Sequence, residues 1–329
     1  MPQLATIFIN VILPVLVLVA CGATLQRRLG LEMKTLTRLN IWLMVPAFLF
    51  VKIYDSELSW ASIGSIAGAY FLSLGALGLV LFAVLRGSKV AGPTMACVIL
   101  GSIVFNAGNF GIPVAELLYG SGVRFPGMGD DPEHGVQVQA LIVMLSNVSV
   151  WLFGYVLLAL AKGDGLKGAM GYLKLPMIYV LFAAFGLRHL RIEHNAGENF
   201  LPVFIDQPLR YLAGAIVPVA LLTLGAQLAA NARWPRWKVV TPIVILKLCA
   251  LPAVTGLVVW LLGLWPWPGA QLIIAAAGPT AVNTLLLTLE LDGDADLQAD
   301  VVFWTTIFTM LTVSVVIAVV TGLGALPAN

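Results

Sequence analysis

The densest group of polar and helix-breaking residues is Asn106-Ala-Gly108-Asn109-Phe-Gly111-Ile-Pro113. A second group, Gly278-Pro279-Thr280-Ala-Val-Asn283, lies far along the chain. Both sit in the middle of apolar runs. Proline lacks an N–H and clashes with the carbonyl four residues before it, and glycine loosens the same turn. Each group therefore predicts a helix broken near its centre. Broken backbone at membrane depth is tolerated only against protein or a wet cavity, and asparagine side chains can satisfy the freed groups. The half-helix that follows begins with free N–H groups and a partial charge of about +0.5. Two such ends suit an anion such as a carboxylate. The expected substrate-binding residues are Asn106, Gly108, Asn109, Gly111, Pro113, Gly278, Pro279, Thr280 and Asn283. The competing reading is a simple proline kink, which has more force for the second group than for the first.

Other polar residues carry weaker signals. Glu116 follows Pro113 by three residues. An intramembrane carboxylate is costly and by default functional, so it is read either as a proton- or cation-coupling group or as an interfacial residue paired with a base. Lys247 either snorkels to the surface or balances a substrate carboxylate. Asn147 and Gln227 are expected to form interhelical hydrogen bonds. Thr305, Thr306, Thr309 and Thr312 are expected to bond carbonyls of their own helix. The small-residue runs Gly64–Gly68 and Gly75–Gly78 are expected to bring helices close together. Cys21, Cys97 and Cys249 have no metal-ligand or disulfide spacing. His134, His189 and His194 are all expected in loops, and no metal site or cofactor is expected.

The elements that must position these residues follow from composition. Of 329 residues, 60% are hydrophobic and 10% charged, against about 25% charged in a soluble domain. Mean hydropathy is +0.97 and net charge +2. A soluble enzyme, a disordered tail and a nucleic-acid-binding module are excluded. A bilayer core about 30 Å thick needs about 20 apolar residues per helix, and the apolar total covers ten such helices. The predicted spans are 4–27, 36–53, 61–85, 91–120, 137–161, 172–188, 208–230, 238–263, 269–290 and 299–324. Arg27 and Arg28 follow the first apolar run, whereas a signal peptide carries its charge before it, so the first span is read as a retained helix.

Cationic loop residues set orientation. Loops after odd-numbered spans hold twelve, from Arg27 to Lys238, and loops after even-numbered spans hold five: Lys52, Arg124, Arg188, Arg191 and Arg210. The odd loops are therefore placed in the cytoplasm and both termini outside, in the plasma (inner) membrane. Asp292, Asp294, Asp296 and Asp300 make the last odd loop acidic, but acidic residues count little in this rule. The polar stretch Lys162–Lys174 divides the spans into two fives, residues 1–162 and 168–329. Five spans per half gives the halves opposite topology, an inverted repeat common in secondary transporters. Two traces support it. Arg38 precedes Pro46 by the eight residues that separate Arg210 from Pro218, and Leu13-Pro14 matches Leu175-Pro176.

The segment FNAGNFGIP resembles the N-x-G-N-x-G-x-P signature of the auxin efflux carrier family, which includes plant PIN carriers and bacterial malonate and malate carriers. LPMIYVLFAAFGL, IVPVALLTLGAQLA, Lys247-Leu-Cys-Ala-Leu-Pro252 and the stretch from Gly278 to Thr312 extend the resemblance over nearly the whole chain. The resemblance implies an all-α, ten-helix membrane fold similar to bile acid–sodium symporters. Spans 1, 2, 6 and 7 would form a scaffold. Spans 3–5 and 8–10 would form a mobile core in which spans 4 and 9 cross. It also implies elevator-type transport of a small organic acid anion, such as malonate, malate or an auxin-like aromatic acid, and a homodimer through the scaffold. H⁺ or Na⁺ coupling stays open. Unlike long PIN carriers, this chain has no long hydrophilic loop between spans 5 and 6. The alternative is an ion channel or membrane sensor, although no ring of filter residues is visible. A membrane enzyme is disfavoured because neither HExxH nor GxSxG occurs. On the predicted topology, a cysteine placed within 121–136 reacts with an impermeant thiol reagent added to intact cells. Labelling only after permeabilisation would invert the orientation.

Overall fold

A computed structural model describes residues 7–88, 90, 92–154, 176–193, 201–230, 235–290 and 293–324. The stretch Lys162–Lys174, on which the division into halves was read, lies outside the described residues, as do His194 and both terminal segments. The described residues are helical and contain no strand, only an isolated bridge between Phe105 and Thr280.

The helices are α1 (Leu13–Leu29), α2 (Met33–Leu39), α3 (Val45–Tyr54), α4 (Trp60–Arg86), α5 (Gly92–Ile103), α6 (Ile112–Gly120) and α7 (Glu133–Ser149). They continue as α8 (Pro176–Glu193), α9 (Val203–Gly214), α10 (Ile216–Ala230), α11 (Trp237–Ile245), α12 (Leu251–Leu261), α13 (Gly269–Ala276), α14 (Val282–Glu290) and α15 (Ala295–Gly324). Among the described residues, six helical runs are long and apolar enough to cross a membrane: Phe8–Leu29, Thr35–Tyr54, Trp60–Arg86, Val203–Ala230, Trp237–Leu261 and Ala295–Gly324.

Five widened π turns occur among the described residues, Phe8–Ile12, Asn40–Met44, Ala107–Gly111, Val150–Gly154 and Leu246–Ala250, and the first, second and last lie inside these runs. In four of these five, a proline stands two residues after the turn: Pro14, Pro46, Pro113 and Pro252. The cause is local. The proline ring pushes away the carbonyl of the preceding turn and offers it no N–H. The helix relieves this by taking one extra residue into that turn. Proline spacing thus dictates where the backbone widens, and Asn40, Gly108, Asn109 and Lys247 all lie on widened turns.

Packing divides by neighbour. The most extensive helix pair is α1 with α10, and α3 packs on α8 and α9. Elsewhere α12 packs on α4 and α13, α6 on α7, and α15 on α11, α13 and α14. The α1–α10 contact is backbone against backbone. A Cβ at Gly22 would lie well inside contact distance of the Leu222 carbonyl, and one at Gly225 inside that of Val19. The close approach expected at the α4 glycines is not found. Gly64, Gly68 and Gly75 have open space beside them, and Gly78 meets only the tip of Ile103. Small residues permit close packing, but periodicity alone does not say which helix face meets a neighbour.

Polar latches close the helix ends. Arg210 pairs with Asp55 and Asp206, each at 2.8 Å, and Arg188 donates to the Ser56 carbonyl at 2.7 Å. Arg38, its counterpart in the sequence repeat, is exposed. Asp294 accepts from Arg236 at 2.9 Å and caps α15 through the Leu297 N–H at 3.0 Å. Burial raises the Asp294 carboxyl, but Arg236 and that N–H outweigh it and hold it below the usual carboxylate range. His134 and His189 lie on α7 and α8 rather than in loops.

Gly225→Ala is expected to destabilise the protein by about 1–3 kcal/mol, because the added methyl overpacks the α1 backbone. Gly68→Ala meets nothing and replaces a poor helix former, so it should be neutral or stabilising by up to about 1 kcal/mol. Thermal unfolding of the two variants in detergent tests the contrast.

Candidate functional site

Helix α5 stops at Ile103, and α13 stops at Ala276. The non-helical residues that follow lie against each other. Asn106 N–H donates to the Pro279 carbonyl at 2.7 Å, and Ala281 N–H to the Val104 carbonyl at 3.4 Å, on either side of the Phe105–Thr280 bridge. Each break supplies the hydrogen-bond partners that the other has lost.

Side chains from neighbouring helices complete the pairing. Thr280 is fully buried; its Oγ1 donates to the Gly101 carbonyl at 2.6 Å, and its N–H donates to Thr305 Oγ1 at 3.1 Å. Thr309 donates to the Ala277 carbonyl at 2.9 Å, and Ser146 to that of Phe105 at 3.0 Å. Thr305 also bonds its own helix at Val301, as Thr306 does at Val302 and Thr312 at Phe308. Thr309 instead spends its hydroxyl on the break.

A buried amide chain runs beside the crossing. Tyr119 donates to Gln271 at 2.5 Å, Gln271 to Gln139 at 2.6 Å, and Gln139 to the Ala107 carbonyl at 2.7 Å. It links α6, α13, α7 and the first break. Gly111 is required there, because a Cβ would collide with the Gln139 amide. Sequence reading missed these three residues. The available signal was a glutamine at each of two places inside apolar helices, where a polar side chain needs a partner.

Lys247 does not snorkel. It is fully buried, donates to the Ala276 carbonyl at 2.9 Å, and stands 5.2 Å from the Phe105 ring centroid. Among the described residues no carboxylate pairs with it. Its amine sits at the carbonyl end of α13 and faces the Phe105 ring. Glu116 faces Lys52 at 3.9 Å, and Lys52 also holds Glu133 at 2.5 Å. Glu116 thus has a basic partner in Lys52.

An open-mouthed cavity lies beside the two breaks. Its walls include Phe105, Asn106, Ala107, Gly108 and Asn109 from the first break, and Ala281, Val282 and Asn283 from the second. Thr37, Asn40 and Gln227 face it from α2, its π turn and α10; Ser146 and Asn147 face it from α7. Among the described residues, no charged one lines it. The starts of the two second half-helices, at Ala107 and Val282, are both on its wall. Asn106 caps the first, accepting the Asn109 N–H at 3.1 Å. Asn40 donates to Asn109 Oδ1 at 3.0 Å, and Asn283 to Asn147 Oδ1 at 3.2 Å.

Of the residues singled out in the sequence, Asn106, Gly108, Asn109 and Asn283 line this cavity. Gly111, Pro113, Gly278, Pro279 and Thr280 do not; they build the crossing behind it. Glu116 and Lys247 lie off the cavity wall. Asn40 and Thr37 were not anticipated, because nothing in α2 marks them apart from other polar residues in a short amphipathic stretch.

Comparison with known proteins bears on what this arrangement does. Residues 169–317 match the family described as membrane transport protein. The chain resembles transporters. It is 25% identical over 321 residues to an uncharacterized transporter of Methanocaldococcus jannaschii, covering 93% of this chain and 96% of that protein. It is 26% identical to an uncharacterized transporter of Methanothermobacter thermautotrophicus, over 92% of this chain and 94% of that one. The resemblance to the auxin efflux carrier family agrees with this. The family match includes Lys247 and the Gly278–Asn283 break, and both relatives align along nearly the whole chain. This is a multi-pass membrane protein of transport type, and its apolar helices fit that reading.

Lys247→Met removes the donor on the Ala276 carbonyl and leaves that acceptor buried and unpaired. The expected cost is about 1–3 kcal/mol, read as a lower unfolding temperature in detergent. Lys247→Arg, which keeps the charge, should lose less.

Proposed function

We propose that the protein is a secondary carrier for a small organic acid anion, moved by elevator-type alternating access. The observation that carries this reading is the uncharged, amide-lined cavity onto which the starts of two interrupted helices open. Paired N-terminal ends supply a positive field without a formal charge. An anion bound there needs no buried arginine, and a carrier that must release its cargo gains from a site without an ion pair. A monocarboxylate fits such a wall better than a dicarboxylate, since no lining residue offers a second counter-charge.

In this reading the chain has ten spans in two inverted halves, residues 1–162 and 168–329, with α5–α6 and α13–α14 as the crossing fourth spans. The scaffold is the α1, α2–α3, α8 and α9–α10 group, and the remaining helices form the moving core. The packing pattern supports this division, because α1 pairs with α10 and α3 with α8 and α9, while α12, α13 and α15 contact one another or α4. Asn109, Asn106 and Asn283 contact the anion from the core. Asn40 and Gln227 reach the same cavity from the scaffold. Lys52 on α3 pairs with Glu116 and Glu133 of the core, so this ion pair breaks when the core moves. Lys247 fixes the carbonyl end of α13 during that motion.

Reconstituted protein should show saturable uptake of a carboxylate with trans-stimulation by unlabelled substrate. Uptake without trans-stimulation would indicate a channel and overturn the carrier reading. Asn109→Ala should abolish uptake while the protein stays folded in detergent, because it removes both the wall contact and the bond to Asn40. Glu116→Gln should leave any pH profile of uptake in place, since Glu116 is held by Lys52 outside the cavity. Loss of the profile in that variant would restore Glu116 as the coupling group.

A further inference from the structure

Two asparagines that line the cavity, Asn40 and Asn106, each carry a buried amide atom without a partner. Asn106 is 7% exposed, and its Oδ1 accepts the Asn109 N–H. That bond fixes the amide, and Nδ2 is left as a donor without an acceptor. Asn40 is 2% exposed and spends its Nδ2 on the Asn109 side chain. Its Oδ1 is left as an acceptor without a donor. Asn109 bonds both amides, so the open donor and the open acceptor flank a single residue. Buried polar groups of this kind are rarely left unpaired, and both belong to residues that line the cavity.

The two atoms ask for different chemistry. The Asn106 donor suits a carboxylate oxygen. The Asn40 acceptor repels a carboxylate oxygen and is satisfied only by an O–H or N–H. We propose that the cavity selects carboxylates that carry a hydrogen-bond donor next to the carboxyl group, such as 2-hydroxy acids, and that Asn40 is the residue that reads this donor. The inference rests on the carrier reading above and narrows it from organic anions in general to donor-bearing ones. The physical basis is asymmetric. A site built to bond a hydroxyl strongly rejects the analogue lacking it, because the buried acceptor is then unpaired.

Lactate against propionate, and glycolate against acetate, are the probes, since each pair shares charge and carbon skeleton. Competition with uptake in proteoliposomes, and thermal shift of the purified full chain, give two independent readouts. The hydroxy acid should act at about ten-fold lower concentration than its partner, equivalent to about 1.4 kcal/mol. Asn40→Leu should bring the ratio close to one by weakening the hydroxy acid about ten-fold more than the plain acid. Asn40→Ser, smaller and still an acceptor, should keep part of the preference and serves if the leucine variant does not fold. Equal potency within each pair in the parent protein, or an unchanged ratio in Asn40→Leu, overturns the inference and leaves the carrier reading standing. Failure of all four acids and of larger carboxylates to bind or compete overturns both.

Discussion

Every backbone amide in the middle of a membrane protein must find a partner inside the protein, because lipid offers none. Two helices that stop at mid-span violate this unless something answers their loose ends. Here each break answers the other, through Asn106 N–H on Pro279, Ala281 N–H on Val104 and the Phe105–Thr280 bridge. Threonine hydroxyls, the Gln139 amide and the Lys247 amine bond further carbonyls. The cavity lies against this paired region.

Proline makes such a system possible without unfolding the helices around it. The π turns two residues before Pro46, Pro113 and Pro252 relocate strain into a wider turn rather than a break. Each wide turn also carries a residue that matters to the crossing: Asn40, Gly108 with Asn109, and Lys247. One local rule therefore links sequence to site three times.

Charge is kept behind the wall. Lys247 sits on a helix carbonyl end with Phe105 over it, and Phe105 is itself on the wall. Glu116 and Glu133 are held by Lys52 away from the cavity. What a ligand meets is amides, hydroxyls and helix starts.

Hydropathy and loop composition are local properties, so the sequence alone determined that the chain is helical and membrane-embedded. Asparagine, glycine and proline weaken a helix wherever they occur, so the two breaks and the wall positions Asn106, Gly108, Asn109 and Asn283 beside them were legible. Which polar groups meet was not legible. Thr280 answers a carbonyl at Gly101, Gln271 answers Gln139, and Asn40 answers Asn109, each across a long stretch of chain. The same limit hid the glycine contacts, which fall on Gly22 and Gly225 rather than on α4. A side chain's type states what bond it needs, but only the packed helices decide who supplies it, because partners are set by which faces are buried together and not by their order along the chain.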